Sequence, residues 1–248
     1  MKYIYVIPAH NEGASIERCL KLLSESEYCR AIYVVDNGSR DDTAAIAKRF
    51  PLSFEDTNGP VIKVLSIKSA GIGWAYDAGL RKILSDDLFE PESRIILSAA
   101  DLPFDFTDVE SIDHVGDSKS ALSESLYIGS KGCRDSIVPR GPKRRIASIV
   151  FYLIRRVLMG LGVKDTQGTI ILTVAQARQL VPLIKSRDFF YTTELLFYAS
   201  KLKIKIVEVP VILSTFTRPS SVRIFHHGKS LLQQSLSICL SHRLKRSS

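Results

Sequence analysis

Short runs of β-branched residues alternate with longer helical patterns through the first hundred residues of the chain. Ile16, Leu20 and Leu23 recur at helical spacing after the first run, and a second helix is predicted over Ala44–Phe50. The β-branched runs predict strands at Tyr3–Ile7, Ala31–Val35, Ile62–Ile67 and Arg94–Leu97. This alternation is typical of successive βα units around a mostly parallel sheet, in which ligands bind at the carboxyl ends of the strands. The loops that follow these strands are therefore the first place to look for chemistry.

The second half of the chain has a less regular pattern. It predicts strands at Leu126–Ile128 and Thr169–Thr173, a strand pair around Lys205–Leu213, an amphipathic helix ending at Leu161, and helices at Ala175–Ile184 and Thr193–Lys201. A length of 248 residues suits one α/β domain, so we expect a domain over residues 1–223 and a basic amphipathic extension over 224–248. The pattern of Ser230–Leu244 fits a helix that docks on its own domain, which we expect, or one that lies on a membrane surface.

The charge balance favours anionic partners. The chain has 34 Lys and Arg against 26 Asp and Glu, a net charge of +8, which suits a nucleotide, a lipid phosphate, a phospholipid surface or a nucleic acid. It has no basic platform interleaved with aromatic residues, so a nucleic acid is the least favoured of these partners.

Neither a membrane span nor a disulfide framework is predicted. The nearest apolar stretch, Ile146–Val163, is interrupted by Arg155 and Arg156 and falls short of the ~20 residues that a span needs. The four cysteines form no CxxC pair, which argues against a zinc site and fits a reducing compartment. No signal-peptide pattern precedes Tyr3, so we expect a cytoplasmic protein, peripheral at a membrane face.

Polar turns follow the first two predicted strands. The first reads Pro8-Ala9-His10-Asn11-Glu12, a turn that exposes backbone amides and ends on a carboxylate. The second reads Asp36-Asn37-Gly38-Ser39, in which Asp36 is placed to accept a hydrogen bond from a base N–H or a ribose hydroxyl. Asp42 and Thr43 beyond it fit helix caps better than pocket residues.

Together these two turns resemble the opening of family 2 glycosyltransferases, which carry a Pro-x-x-Asn-Glu turn and a Val-Asp-Asp-Gly-Ser turn. His10 stands where a Tyr is frequent, and Asn37 replaces the second Asp, but His can stack and Asn can hydrogen-bond. The resemblance implies a GT-A α/β fold, with a mostly parallel central sheet flanked by helices, and a nucleoside diphosphate sugar as the donor. It assigns the nucleotide pocket to Pro8, Ala9, His10, Glu12 and Asp36.

A third segment, Ser69 to Gly79, looks like the family's Gly-x-Gly-x-Ala helix start. By the resemblance, Gly71 and Gly73 would let the backbone approach the donor. The alternative interpretation is a simple junction between a loop and a helix.

The family's Asp-x-Asp motif corresponds here to Ala99-Ala100-Asp101, after the fourth predicted strand. In the family that pair holds Mg²⁺ or Mn²⁺ on the donor diphosphate, because a divalent cation neutralises the leaving phosphate and prefers oxygen ligands. Ala99 replaces the first Asp, which leaves Asp101 as the predicted metal ligand, with Ala100 beside the donor and Asp105 near enough to assist. We therefore expect Mg²⁺ or Mn²⁺ on a reduced ligand set.

The downstream segments are similar in order to polyprenyl-phosphate glycosyltransferases, such as the dolichyl-phosphate mannose and glucose synthases. The resemblance implies transfer of a hexose with inversion to a polyprenyl phosphate, an acceptor that is already an anion and needs no side-chain base. Cations around the two phosphates are then expected at Lys131, Arg145, Arg218 and Arg223. Asp165, Gln167 and Glu194 are candidates for positioning the sugar, whereas Glu208 fits a structural role better.

Two alternatives remain open from the sequence. Transfer to a hydroxyl acceptor would need a general base, such as Asp105 or Glu194. Ala99 leaves room for a degenerate protein that binds a nucleotide sugar without catalysis.

Overall fold

The computed structural model describes residues 1–50, 59–114, 124–139, 141–214 and 233–238, with 142–144 described by backbone alone. The strands are β1 Tyr3–Ala9, β2 Cys29–Asn37, β3 Val61–Ile67, β4 Arg94–Leu97, β5 Ser125–Gly129, β6 Thr169–Thr173 and β7 Lys205–Val209. The helices are α1 Ile16–Glu25, α2 Thr43–Arg49, α3 Ile72–Asp86, α4 Thr107–His114, α5 Pro142–Met159, α6 Val174–Leu180 with a 3₁₀ turn at Val181–Leu183, and α7 Tyr191–Lys201.

Within the described residues, seven strands form one sheet in the order β3-β2-β1-β4-β6-β5-β7. β1, β2, β3 and β4 are mutually parallel, as are β5 and β7, whereas β6 runs antiparallel to both of its neighbours. This is the mostly parallel sheet that the sequence predicts.

The registers bring the functional loops to one edge of the sheet. Ala9 pairs with Asp36, so the turns after β1 and β2 lie side by side. The antiparallel β6 begins where its neighbours end: Leu97 pairs with Ile170, and Gly129 pairs with Thr169. The loop before β6 therefore joins the loops after β4 and β5.

Alternating side chains bury the two faces of the sheet under different helices. Val6, Tyr33 and Leu172 point to the face covered by α3, α6 and α7, where Leu80 and Leu195 pack against them. Tyr5, Ile7 and Ile171 point to the opposite face, which is covered by α1, α2 and α4. Helices on both faces of a sheet are the expected solution for continuously buried strands.

The predicted strand pair around Lys205–Leu213 is wrong in its second member. β7 ends at Val209, and beyond it Ile212 forms a single parallel bridge with Ile137. Pro210 has no N–H to donate, so it cannot continue the pairing. The other predicted strands of the described region are present, with ends that differ by one or two residues.

Residues 233–238, inside the predicted extension, are helical and dock on the main body. Ser235 is buried, Ile238 packs against the cluster under α3, and the side chain of Gln234 donates a hydrogen bond of 2.8 Å to Asp188. Helices in the described residues are all too short or too polar to cross a membrane.

Candidate active site

The turn after β1 is tied to the turn after β2 by reciprocal hydrogen bonds. Asn11 adopts a left-handed conformation with φ 55°, and its backbone N–H donates to Ser39 Oγ at 3.0 Å. Its side-chain oxygen accepts from the backbone N–H of Arg40 at 2.9 Å. Asn tolerates this conformation better than most residues, which explains its place in the turn.

The ring of His10 also connects the turn after β1 to the turn after β2. Its Nδ1 lies 2.8 Å from the backbone oxygen of Asn37, an acceptor, so Nδ1 carries the proton. Nε2 then accepts from the side-chain N–H of Asn11 at 3.2 Å. These two bonds orient the ring at the exposed rim of the turn.

Asp36 and Asn37 end β2 as buried polar residues, only 6% and 4% exposed. Asp36 accepts the backbone N–H of Ser39 at 3.2 Å, which holds the tight turn through Gly38. Among the described residues, the buried side-chain oxygen of Asn37 has no hydrogen-bond partner. Buried polar atoms are rarely left unpaired, so this oxygen is a candidate acceptor for a ligand at the sheet edge.

Asp41 performs the capping role that the sequence suggests for Asp42. Asp42 is the N-cap of α2 but makes no capping bond with its side chain. The Asp41 carboxylate instead accepts from the hydroxyl and backbone N–H of Thr43, and from Gly13 N–H at 3.0 Å. Hydrogen bonds from Thr43 and then Gly13 lower the pKa of Asp41, because they favour its charged form.

Glu12 is anchored by both its backbone and its side chain. Its N–H donates to Thr43 Oγ1 at 2.7 Å, and its carboxylate accepts a bond from the Ser15 hydroxyl at the start of α1. Of the five predicted pocket residues, Pro8 and Ala9 end β1, His10 and Glu12 lie on the turn after it, and Asp36 pairs with Ala9 across the strands. Their contact with a nucleotide stays a prediction.

Gly71 and Gly73 sit against protein backbone. A Cβ on Gly71 would lie 2.8 Å from the carbonyl oxygen of Arg187, and one on Gly73 would lie 2.4 Å from its carbonyl carbon. The N–H of Trp74 donates to that same Arg187 oxygen at 3.0 Å. The described contacts thus give both glycines a packing role at the start of α3, and their approach to a donor stays a prediction.

The loop after β4 carries Asp101 between the buried residues Ala100 and Leu102. Leu102 and Asp105 both adopt left-handed conformations, with φ 43° and 47°, so the chain turns sharply twice before α4. The Asp105 carboxylate turns toward α1, where it lies 3.9 Å from the Arg18 guanidinium. This distance is too long for a hydrogen bond, and Asp105 Oδ1 is buried without a hydrogen-bond partner among the described residues, so Asp105 keeps an oxygen that could assist Asp101.

A divalent cation would find a sparse protein ligand set here. Among the described residues no group of three or more His, Cys, Asp or Glu side chains is arranged to hold a metal. Mg²⁺ is commonly held by one or two carboxylates together with substrate phosphates and water. Asp101 alone fits that pattern, and a dedicated all-protein metal cage does not.

Lys131 connects the loops after β5 and before β6. Its N–H donates to the Asp165 carboxylate at 3.0 Å, and its ammonium lies 3.5 Å from the same carboxylate. The ammonium also donates to the backbone oxygen of Gln167 at 3.1 Å and lies 5.5 Å from the centre of the Phe104 ring. A cation from the second half of the chain thus reaches the loop that carries Asp101.

Gln167 and Glu194 are held by the segment before α7. The Gln167 amide donates to the backbone oxygen of Phe189 at 2.9 Å and to Thr192 Oγ1 at 3.1 Å. Glu194, which is 1% exposed, accepts the backbone N–H of Ser186 at 2.7 Å. Both side chains therefore have structural partners within the described residues.

Glu208 organises this side of the site from β7. Its carboxylate accepts from the Ser130 hydroxyl at 2.6 Å, from Lys164 N–H at 3.1 Å and from Asp165 N–H at 3.3 Å. Those three donors belong to the two loops that Lys131 bridges. This arrangement agrees with the structural role expected for Glu208.

Asp108 is a buried carboxylate that the sequence interpretation missed. It accepts from the Thr169 hydroxyl at 2.6 Å and from Val109 N–H at 2.9 Å, which ties the start of α4 to the start of β6. Burial raises the pKa of Asp108 to about 6 despite these bonds. Its pattern in the sequence is that of an ordinary acidic helix start, so nothing there signals the burial.

Of the other three predicted cations, only Arg145 lies in the part of the chain that the structure describes. The Arg145 side chain is exposed on the first turns of α5. Arg218 and Arg223 lie outside the described residues.

Comparison with known proteins identifies the family. A family model described as glycosyl transferase family 2 matches residues 5–111. An uncharacterized protein of Methanocaldococcus jannaschii is 30% identical over 210 residues, which cover 83% of this chain and 79% of that protein. The chain belongs to glycosyltransferase family 2.

Relatives with assigned names are also similar to this chain. A dolichyl-phosphate beta-glucosyltransferase of Dictyostelium discoideum is 25% identical over 220 residues, which cover 83% of this chain and 64% of that protein. The human protein of the same name is 24% identical and covered to 65%. The chain thus spans less than two thirds of the length of these relatives.

A solved structure supports the fold. The glucosyl-3-phosphoglycerate synthase of Mycobacterium tuberculosis, crystallised with Mn²⁺, UDP-glucose and phosphoglyceric acid, superposes with a TM-score of 0.67 over 96% of this chain and 79% of that one. The two sequences are 17% identical, so the likeness concerns the fold alone. The fold is GT-A, as the turns after β1 and β2 predict.

Proposed function

We propose that this family 2 member transfers a hexose from a nucleoside diphosphate sugar to a polyprenyl phosphate, with inversion at the anomeric carbon. The observation that carries the proposal is Lys131, whose ammonium lies over the Phe104 ring beside the Asp101 loop. A cation there faces the place where donor diphosphate and acceptor phosphate would meet. The relatives named dolichyl-phosphate beta-glucosyltransferase support the choice of acceptor.

The turns after β1 and β2 are the proposed donor side. Asp36 and the free side-chain oxygen of Asn37 supply two buried acceptors at the end of β2. Base N–H groups and ribose hydroxyls are the donors in a nucleotide that such acceptors match. The bonds of His10 and Asn11 hold the two turns in place before a ligand arrives, which lowers the cost of binding.

In the proposed reaction an acceptor phosphate oxygen attacks the anomeric carbon from the side opposite the diphosphate. A new C–O bond forms as the bond to the diphosphate oxygen breaks, and its electron pair leaves with the nucleoside diphosphate. Because the acceptor oxygen is already anionic, no proton has to be removed. The protein's contribution is positive charge around the phosphates, which we assign to Lys131, Arg218 and Arg223, with Gln167 positioning the sugar. The exposed position of Arg145 on α5 removes it from this set.

Mg²⁺ or Mn²⁺, when bound, would neutralise charge on the leaving diphosphate. Asp101 is the residue we propose to hold it, together with donor phosphate oxygens. Asp105 is the second candidate, because its buried Oδ1 has no hydrogen-bond partner among the described residues.

A hydroxyl acceptor is less well supported. Of the two candidate bases, Glu194 is 1% exposed and accepts the backbone N–H of Ser186. A general base has to reach the proton that it removes, and Glu194 does not do so in this contact. Asp105 is then the base that this alternative would require, whereas the relatives named dolichyl-phosphate beta-glucosyltransferase favour the lipid phosphate.

We also propose a peripheral position at the cytoplasmic face of a membrane, where a polyprenyl phosphate would be found.

Incubation with labelled nucleotide sugars and short polyprenyl phosphates, with and without Mg²⁺ or Mn²⁺, tests the proposal. We expect a lipid-linked sugar with at least one donor. Nucleotide binding without a product from any donor would instead favour a degenerate protein. In that case a gain of metal-dependent turnover in Ala99→Asp would identify the missing carboxylate as the cause.

A further inference from the structure

Helix α5 carries an apolar stripe that no described part of the protein covers. Of the fourteen large hydrophobic residues exposed in the described chain, five lie on this one helix. They are Ile146 at 62% exposed, Ile149 at 52%, Val150 at 48%, Leu153 at 50% and Val157 at 80%. Single exposed apolar residues are ordinary on a protein surface, but a contiguous cluster marks an interaction site.

The five residues face one direction. At 3.6 residues per turn they fall within an arc of about 100° and extend about 17 Å along the helix axis. Among the described side chains of α5, only Met159 at its last turn is buried. The apolar stripe of α5 therefore points away from the protein, whereas the apolar face of a surface helix usually packs on the protein's own core.

Arginines border this stripe along one side. By the same helical geometry, Arg145 and Arg156 project on adjacent positions at the edge of the arc, and both are exposed. Arg156 is steadied by a hydrogen bond of 2.8 Å to the Tyr152 hydroxyl. Arg155 points the opposite way and donates to the backbone oxygen of Lys164 at 3.1 Å, which orients the helix on the domain.

We propose that the stripe of α5 lies in the surface of a membrane that contains anionic phospholipid. The apolar arc would enter the acyl boundary while Arg145 and Arg156 reach the phosphates, the arrangement expected of an interfacial helix. The net charge of +8 adds attraction to an anionic surface. The choice of a bilayer as partner rests on the proposed lipid acceptor, since a water-soluble acceptor would give the enzyme no reason to be there.

This docking has a consequence for the site. Arg155 holds the Lys164 backbone oxygen, and Lys164 N–H is held by Glu208 beside Asp165, the partner of Lys131. One hydrogen bond thus connects α5 to the loop before β6, and a second connects that loop to Glu208. The proposed docking helix is therefore linked to the loop that fixes Lys131.

Co-sedimentation with vesicles tests the inference on the full chain. We compare phosphatidylcholine vesicles with and without phosphatidylglycerol, using the wild type, the double variant Leu153→Glu/Val157→Glu and the control Leu88→Glu. Leu88 is 55% exposed at the end of α3, so it matches the stripe residues in exposure but lies off the stripe. All three side chains are exposed, and a thermal melt checks that the variants fold.

We expect the wild type and Leu88→Glu to bind the vesicles with phosphatidylglycerol, and the double variant to bind at least tenfold more weakly. Equal binding by the double variant, or no wild-type binding, overturns the inference. A wild-type dimer in sedimentation that the double variant loses would overturn it too, because the stripe would then be a self-interface. Transfer to a detergent-dispersed short polyprenyl phosphate is measured separately, so failure of the proposed reaction stays distinguishable from failure of docking.

Discussion

The turns after β1 and β2 are held by each other, whereas the loops after β5 and before β6 are held by a carboxylate from β7. The contacts of His10, Asn11 and Glu12 span 27 to 31 residues, about the length of one βα unit. Glu208 reaches 78 residues back to Ser130 and 43 to Asp165. The proposed donor side is thus built from two adjacent units, and the proposed acceptor side depends on contacts between β7 and loops that are distant in the sequence.

A carboxylate in each region has a shifted pKa, and the two shifts have opposite directions. Asp41 on the donor side is exposed, and hydrogen bonds lower its pKa. Asp108 beneath the acceptor side is buried, and burial raises its pKa to about 6. The donor turns use charge where water and backbone donors stabilise it, whereas the acceptor side contains a carboxylate that folding destabilises when it is ionised.

The largest effect is expected at the loop between the two regions. Asp101→Asn should lower transfer about a thousandfold, because it removes the carboxylate proposed to hold the metal on the diphosphate. Asp105→Asn, whose carboxylate pairs with Arg18, should change transfer by only a few-fold. Steady-state rates at saturating Mg²⁺ or Mn²⁺ measure both, and equal losses would contradict a metal site based on Asp101.

Next in size is the pH dependence of stability caused by Asp108. Its folded pKa of about 6 exceeds the unfolded value of 3.8, so the folded state binds more protons and the free energy of unfolding falls as pH rises through this interval. A shift of about two units corresponds to about 3 kcal/mol. Urea unfolding from about pH 4 to pH 7 should show this decline in the wild type and its loss in Asp108→Asn.

If the free energies of unfolding of the wild type and Asp108→Asn depended on pH in the same way, folding would not raise the pKa of Asp108. Asp41→Asn serves as the matched variant on the donor side. There the sign reverses, because the lowered pKa of Asp41 makes its contribution to stability present at neutral pH and lost on acidification.

The start of α3 gives a smaller effect. Gly73→Ala should destabilise the protein by about 2 kcal/mol, because the added Cβ would meet the backbone of Arg187 at 2.4 Å. Gly162→Ala is the control, since a Cβ there meets no atom within 4 Å. Chemical denaturation compares the two, and a Gly73→Ala protein as stable as the control would refute the packing role.

The smallest effect concerns the donor pocket. Asp36→Asn should keep the Ser39 bond through its side-chain oxygen but weaken nucleotide binding about tenfold, or about 1.4 kcal/mol, because a charged acceptor becomes neutral. Asp42→Asn should leave affinity unchanged, as Asp42 is exposed and makes no capping bond with its side chain. Calorimetric titration with nucleoside diphosphates measures both, and equal affinities for wild type and Asp36→Asn would remove Asp36 from the pocket.

How much of each region can be predicted from the sequence depends on how far apart in the chain its interacting residues lie. The turns containing Asn11 and Asp36 are short contiguous motifs that contact each other across one βα unit, so their residues indicate both the fold and its ligand edge. Glu208 and Asp108 act through partners in loops and strands that are more distant in the sequence, which no local pattern encodes. Pro210 ends a strand pair that alternation predicts. Hydrophobic periodicity also does not predict the exposed face of α5, because it identifies an amphipathic helix without indicating which side packs against the protein.

The product itself tests the central claim most directly. The purified protein is incubated with an α-linked nucleoside diphosphate hexose and a short polyprenyl phosphate, and the lipid fraction is examined by mass spectrometry and NMR. We expect a polyprenyl phosphate that carries one hexose in β linkage, made by direct displacement. An α-linked product would contradict inversion, and a hexose found only on a hydroxyl acceptor or in water would contradict the lipid phosphate as substrate.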